Sequence, residues 1–98
     1  MKIVQTHEDD RLLLKLSGRL DTKSAPELEA LLKKKMSGLS ELIIDVADVG
    51  YISSAGLRLL LIAQDQMMQQ GEMRVIHPNR DLMDIFDVTG FTDILTLE

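Results

Sequence analysis

Residues 42–63 read LIIDVADVGYISSAGLRLLLIA, an apolar stretch of strand length followed, after a break, by an apolar stretch of helix length. The first part, 42–46, is rich in Leu, Ile and Val and predicts a strand. A short loop follows. A helix then starts at Ser53 or Ser54, with Leu57, Leu60 and Leu61 on one stripe. Two hydroxyls therefore stand where the chain leaves a sheet and enters a helix. Such a junction gathers unpaired backbone N–H groups and the positive end of a helix dipole, so it suits an anion. The candidate site is placed there.

The same helix carries Leu59 and Ile62 on roughly the opposite side from its main stripe. It needs cover on a second face, from a neighbouring helix or from a partner that meets an exposed apolar patch beside the serines. Gly71 closes this helix, residues 73–76 form another strand, and Asn79 caps a short helix with Leu82, Ile85, Phe86 and Thr89, ended by Gly90. Residues 94–97 add a short last strand.

Upstream, residues 2–6 and 11–17 flank the polar segment HEDD and read as a hairpin. Leu12, Leu14 and Leu16 share one face of its second strand, and Gly18 breaks the pattern. Ser24-Ala25-Pro26-Glu27 reads as a capping box, with Ser24 as N-cap and Glu27 reaching back. The helix it opens carries Leu28, Leu31 and Leu32 and stops near Gly38, and Lys33, Lys34 and Lys35 suit the dipole at its end. The element order is that of one α/β domain over residues 1–98: a mixed sheet of four to five strands, an N-terminal hairpin and about three helices.

Ninety-eight residues suffice for a single core, and 45% apolar with 28% charged residues is the balance of a globule. A net charge of −5 argues against nucleic acid, whose phosphates require a basic face. Without cysteine there is no disulfide, thiolate nucleophile or Cys-type zinc site. No apolar run has the length of a membrane span and no signal-like segment opens the chain, so the expected location is the cytoplasm.

Catalytic patterns fail at the serine junction. A serine nucleophile needs a base, and the only histidines, His7 by the hairpin turn and His77 before Pro78, come with no orienting motif. The junction lacks a glycine-rich run and a G-K-[ST], and no His/Asp/Glu spacing points to a metal. One of the two serines serves as a helix cap, as serine at this position commonly does. Asp45 lies on the sheet's solvent side or supports the junction, Asp48 caps the loop, and Met67-Met68 continues the packing stripe. Tyr51 is core filler with its hydroxyl at the surface, or part of a partner's footprint.

Residues 45–49, Asp-Val-Ala-Asp-Val, and 51–57, Tyr-Ile-Ser-Ser-Ala-Gly-Leu, resemble the signature of STAS domains, the family of bacterial anti-sigma factor antagonists. Ser17-Gly18-Arg19-Leu20-Asp21 resembles the family's G-x-[LI]-D segment, and the element order agrees over nearly the whole chain. The resemblance implies a non-enzymatic binding module without cofactor. Its unphosphorylated form binds an anti-sigma factor that is a serine/threonine kinase, which releases a sigma factor for transcription. Phosphorylation of one serine at the helix start ends that binding, and a serine phosphatase resets the switch.

Alignment on Gly56 and Leu57 puts Ser54 at the phosphorylated position, with Ser53 as the competing acceptor. Asp21, Ser53, Ser54, Gly56, Leu57 and Arg58 are then the expected partner-binding residues. Three departures stand out: Ser53 replaces a frequent Asp, Arg58 a frequent Gly, and the C-terminal helix of many members is missing, which leaves a face open to self-association. Two other readings are a STAS subunit of a membrane transport complex, docked on an ATPase without phosphorylation, and a small nucleotide-binding protein.

Overall fold

A computed structural model describes residues 1–98. Chain order and sheet order coincide: β1 (Lys2–Glu8), β2 (Arg11–Leu20), β3 (Glu41–Ile52) and β4 (Glu72–Ile76) lie side by side in that sequence. β1 and β2 form the antiparallel hairpin, while β2–β3 and β3–β4 are parallel. The parallel pairs need crossovers, supplied by α1 (Ala25–Lys35) and α2 (Ser54–Gln70). A third helix, α3 (Arg80–Thr89), follows β4.

Alternation along the strands decides where the core sits. Leu12, Leu14 and Leu16 of β2, Leu42, Ile44 and Val46 of β3, and Met73 and Val75 of β4 are all buried. They share one cluster with Leu28 and Leu32 of α1, Leu57, Leu60 and Met67 of α2, and Leu82 and Phe86 of α3. The opposite face, with Leu13, Lys15, Ile43, Asp45 and Arg74, is half-buried to exposed. Across it runs a chain of ion pairs, Arg11 to Glu41 at 2.9 Å, Glu41 to Arg74 at 2.9 Å and Arg74 to Glu98 at 3.1 Å.

Several expectations need correction. Gly18 does not end β2. It is absorbed at φ 102 between two register shifts, and the strand runs on to Leu20. β3 likewise continues past Val46 to Ile52, so the expected loop is strand, paired there with β2 alone. Asp48 is therefore a strand residue opposite Ser17, 4.0 Å from Lys15, and caps nothing. The fifth strand shrinks to one bridge between Val75 and Leu97, after a short 3-10 turn at Phe91–Asp93.

The start of α1 is also built differently. Ser24 makes no capping bond toward Glu27; its Oγ accepts from the Asp21 amide at 2.9 Å and donates to the Arg19 carbonyl at 2.7 Å. The Asp21 carboxylate takes over, accepting the amides of Lys23 at 3.0 Å and Ser24 at 3.1 Å. Of the two off-stripe residues of α2, Leu59 is buried and Ile62 is 49% exposed, one answer each to the need for cover. Met67 is buried and Met68 is 71% exposed, so only the first is packing.

Candidate functional site

Parallel strands β2 and β3 end together, and the connections that follow them meet at one end of the sheet, where open α/β sheets place their sites. The Leu20 carbonyl accepts the Ser53 amide at 2.9 Å and ties the end of β2 to the entrance of α2. Ser53 is the N-cap of α2, in extended conformation, and its Oγ accepts from Gly56 N at 3.4 Å. Its carbonyl takes the Leu57 amide at 2.9 Å, the first bond of the helix.

Ser54 is the first residue of the helix and is exposed. The amides of Ser54 and Ala55 belong to the first turn and have no carbonyl behind them within the helix, so they face outward with the positive end of the dipole. The two serines thus divide the work. Ser53 holds the helix, and Ser54 offers its hydroxyl.

Ser54 opens onto a groove whose far wall is the start of α1: Thr22, Ala25 and Pro26 face Ser54, Arg58 and Ile62 across it. Gly56 lies buried behind Ser54, against the end of β2. A Cβ there would lie 2.7 Å from Leu20 Cγ and 2.9 Å from the Leu20 carbonyl oxygen, so only glycine lets α2 come this close. Leu57 is buried beneath the helix and Arg58 is exposed on the rim.

Asp21 stands apart. Its carboxylate turns to the amides of its own loop and to Arg19 at 3.7 Å, and it lines a separate hollow with Gly18, Lys23 and Glu27. Hydrogen bonds from the Ser24 amide, then from the Lys23 amide and the Ser24 hydroxyl, hold its pKa below the ordinary 3.8, against partial desolvation. It shapes the loop that carries Thr22.

The structure brings together Ser53, Ser54, Gly56, Leu57 and Arg58, and keeps the Asp21 carboxylate on the neighbouring loop. Sequence reasoning missed three contributors. The Leu20 carbonyl is a backbone group and leaves no trace in residue type. The Thr22–Pro26 wall was legible in principle, because successive parallel strands put their following loops at the same end. The Arg19 guanidinium, 4.4 Å from the Tyr51 ring centre, covers the end of β3 from outside.

Neither histidine serves the serines. His7 lies in β1, and His77, at φ 62, sits 3.3 Å from Asp45. No group of three metal-ligating side chains exists, and no helix is long and apolar enough to cross a membrane.

A family profile for the STAS domain matches residues 2–98. BtrV of Bordetella bronchiseptica, provisionally named an anti-sigma factor antagonist, is 32% identical over 96% of this chain and 83% of its own length. The anti-sigma-B factor antagonist of Staphylococcus epidermidis is 29% identical over 92% of this chain and 84% of its own. Among solved structures, an anti-sigma factor antagonist from Mycobacterium paratuberculosis superposes with a TM-score of 0.87 at 21% identity, covering 98% of this chain and 83% of that one. SpoIIAA of Bacillus in its phosphorylated form superposes with a TM-score of 0.76 at 14% identity, covering 99% and 91%.

Proposed function

Because the chain belongs to the STAS domain family, we propose that it acts as an anti-sigma factor antagonist switched by phosphorylation of Ser54. In its unmodified form it binds an anti-sigma factor that is also a serine kinase, and the sigma factor is released. A phosphatase returns the modified form to the binding state. The names of its relatives support the general role.

The observation that carries the choice of Ser54 is the division of labour at the helix start. Ser53 Oγ is committed to the Gly56 amide, whereas Ser54 is exposed on the first turn beside an open groove. A kinase can reach it without unfolding anything. In the transfer, Ser54 Oγ forms a bond to the γ-phosphorus of ATP, the bond to the β-phosphate oxygen breaks, ADP leaves, and the serine proton passes to a base on the kinase.

The product carries about −1.5 to −2 charges at a helix N-terminus, where free amides and the dipole accept it. The fold therefore tolerates the change, and the interface does not. A partner seated over Ser54, Arg58 and the groove would have to desolvate a dianion, and a few kcal/mol of such cost lowers affinity by orders of magnitude. Gly56 and Leu57 support this surface from beneath, and Asp21 supports it by fixing the loop of the opposite wall.

The test is incubation with the cognate kinase and ATP, followed by intact mass and site mapping. One phosphoryl group on Ser54 is expected, retained in Ser53→Ala and lost in Ser54→Ala. Equal phosphorylation of Ser54→Ala would falsify the assignment.

A further inference from the structure

The two edges of the sheet are treated differently. β4 is closed by the C-terminal tail, where Val75 N donates to the Thr96 carbonyl at 2.9 Å and Glu98 N to the Val75 carbonyl at 3.0 Å. β1 has no such cover. It is seven residues long, without proline or register shift, and exposed at every position but Ile3. Edge strands left like this are templates for another strand.

The hairpin determines which backbone groups are free. Glu8 and Arg11 close a two-residue turn at Asp9 and Asp10, with Asp9 at φ 53, so Glu8–Arg11 is a hydrogen-bonded pair. By alternation, so are Thr6–Leu13 and Val4–Lys15. The N–H and C=O groups of Ile3, Gln5 and His7 then point away from β2 into solvent.

That odd-numbered set fits a reversed copy of itself. If β1 is laid antiparallel on a second β1 with Gln5 opposite Gln5, then Ile3 meets His7, and the outward groups of one strand face those of the other as hydrogen-bonded pairs. In the same register Lys2 falls opposite Glu8 at both ends, on one face of the sheet, and Val4, which is 50% exposed, falls opposite Thr6. Shifting the register by one residue loses the charge pairing and the fit of the backbone groups together. On the helical face, a hollow lined by Ile3, Gln5, Glu27, Leu31 and Lys34 opens along this edge, and a second copy would cover the half-exposed Leu31.

We propose that β1 pairs antiparallel with β1 of a second copy of this chain about a two-fold axis at Gln5, joining two sheets into one. The joint is isologous, as closed dimers require. No β1 residue lines the groove beside Ser54, so the dimer displays two switch sites and blocks neither.

The experiment is sedimentation equilibrium of the full chain at low salt, with circular dichroism as the check on folding. Wild type is expected to dimerise, and the amides of Ile3, Gln5 and His7 to exchange more slowly as its concentration rises. Lys2→Glu and Glu8→Lys each put like charges at both ends of the joint and are expected to weaken it by about tenfold or more. Mixed in equal amounts the two variants regain opposite charges at both ends, and the dimer returns. A wild type that stays monomeric to roughly 1 mM, a dimer insensitive to both substitutions, or folded variants whose mixture associates no better than either alone overturns the proposal. If a variant does not fold, concentration-independent exchange at Ile3, Gln5 and His7 of wild type overturns it as well.

Discussion

A Cβ on Gly56 would stand 2.9 Å from the carbonyl oxygen of Leu20, the same oxygen that holds the Ser53 amide. Leu20 Cγ at 2.7 Å and Ile52 Cγ2 at 2.9 Å close in on the same point, so the helix start rests on a carbonyl and two side-chain stems. The carbonyl cannot move aside without loosening its bond to the Ser53 amide.

Gly56→Ala is therefore expected to destabilise the fold by about 1–3 kcal/mol through overpacking. The gain in helix propensity, about 1 kcal/mol for alanine over glycine, is too small to reverse this. Urea denaturation gives the answer directly. A neutral or stabilising effect would mean that α2 shifts without cost.

The two serines should separate cleanly in two assays. Ser53→Ala removes a cap whose bond is long, and is expected to cost about 0.5–1 kcal/mol while leaving phosphorylation intact. Ser54→Ala removes an exposed hydroxyl, so stability should stay within about 0.5 kcal/mol while phosphoryl transfer disappears. Melting curves and kinase assays on the same preparations check both halves.

Phosphorylated protein should melt no lower than the unmodified form, because an anion on the first turn of a helix contributes about 0.3–1 kcal/mol. Its affinity for the anti-sigma factor should fall by tenfold or more, a loss of at least about 1.4 kcal/mol. Ser54→Asp should weaken binding in the same direction and to a smaller extent, since it carries one charge. Calorimetric titration of the three forms against one partner measures the series.

Asn79 caps α3 with one end of its side-chain amide and ties it to β3 with the other. Its Oδ1 accepts the Leu82 amide at 2.9 Å, and its Nδ2 donates to the Val49 carbonyl at 2.9 Å. Asn79→Ala is expected to cost about 2 kcal/mol, the sum of a lost cap and a lost bond. Asn79→Asp keeps the acceptor but not the donor and should recover part of that loss.

Acid should weaken the fold through Glu41 and Asp21. The hydrogen bond from Arg11, reinforced by Arg74, holds the Glu41 pKa below its ordinary 4.5, and Asp21 is held below 3.8. A carboxylate whose folded pKa is depressed stabilises the native state above its unfolded pKa, and that contribution is lost as pH falls through the folded value. Stability should therefore decline from about pH 4.5 downward. Glu41→Gln should show a shallower decline. Both groups are exposed enough that the effect is modest.

The order of strands and helices was readable because Leu, Ile and Val alternate in β2 and β3 and recur at helical spacing in α2. Asn79 and Gly90 announced both ends of α3 by residue type. Much of what escaped notice was built from backbone. The run of β3 through Gly50 and Tyr51 depends on β2 extending beside it past Gly18, a pairing that residue types do not announce. Ser24 and Glu27 matched a capping box, but the Asp21 carboxylate accepts the Ser24 amide that Glu27 would have taken, and the Glu27 amide bonds the Ser24 carbonyl instead. At the site, the pair of serines was visible, and which of them caps was not. That depends on where Leu20 pins the chain, one residue before the helix.

In this sheet each strand lies beside the strand that precedes it along the chain. Assembly therefore never waits for a distant segment to thread between two strands already paired. During synthesis the β1–β2 hairpin is available first, and β3 and then β4 add to its open side as they emerge, each followed or preceded by the helix that roofs it. Folding from local steps of this kind is expected to be fast for a domain with parallel strands and to expose bare sheet only briefly.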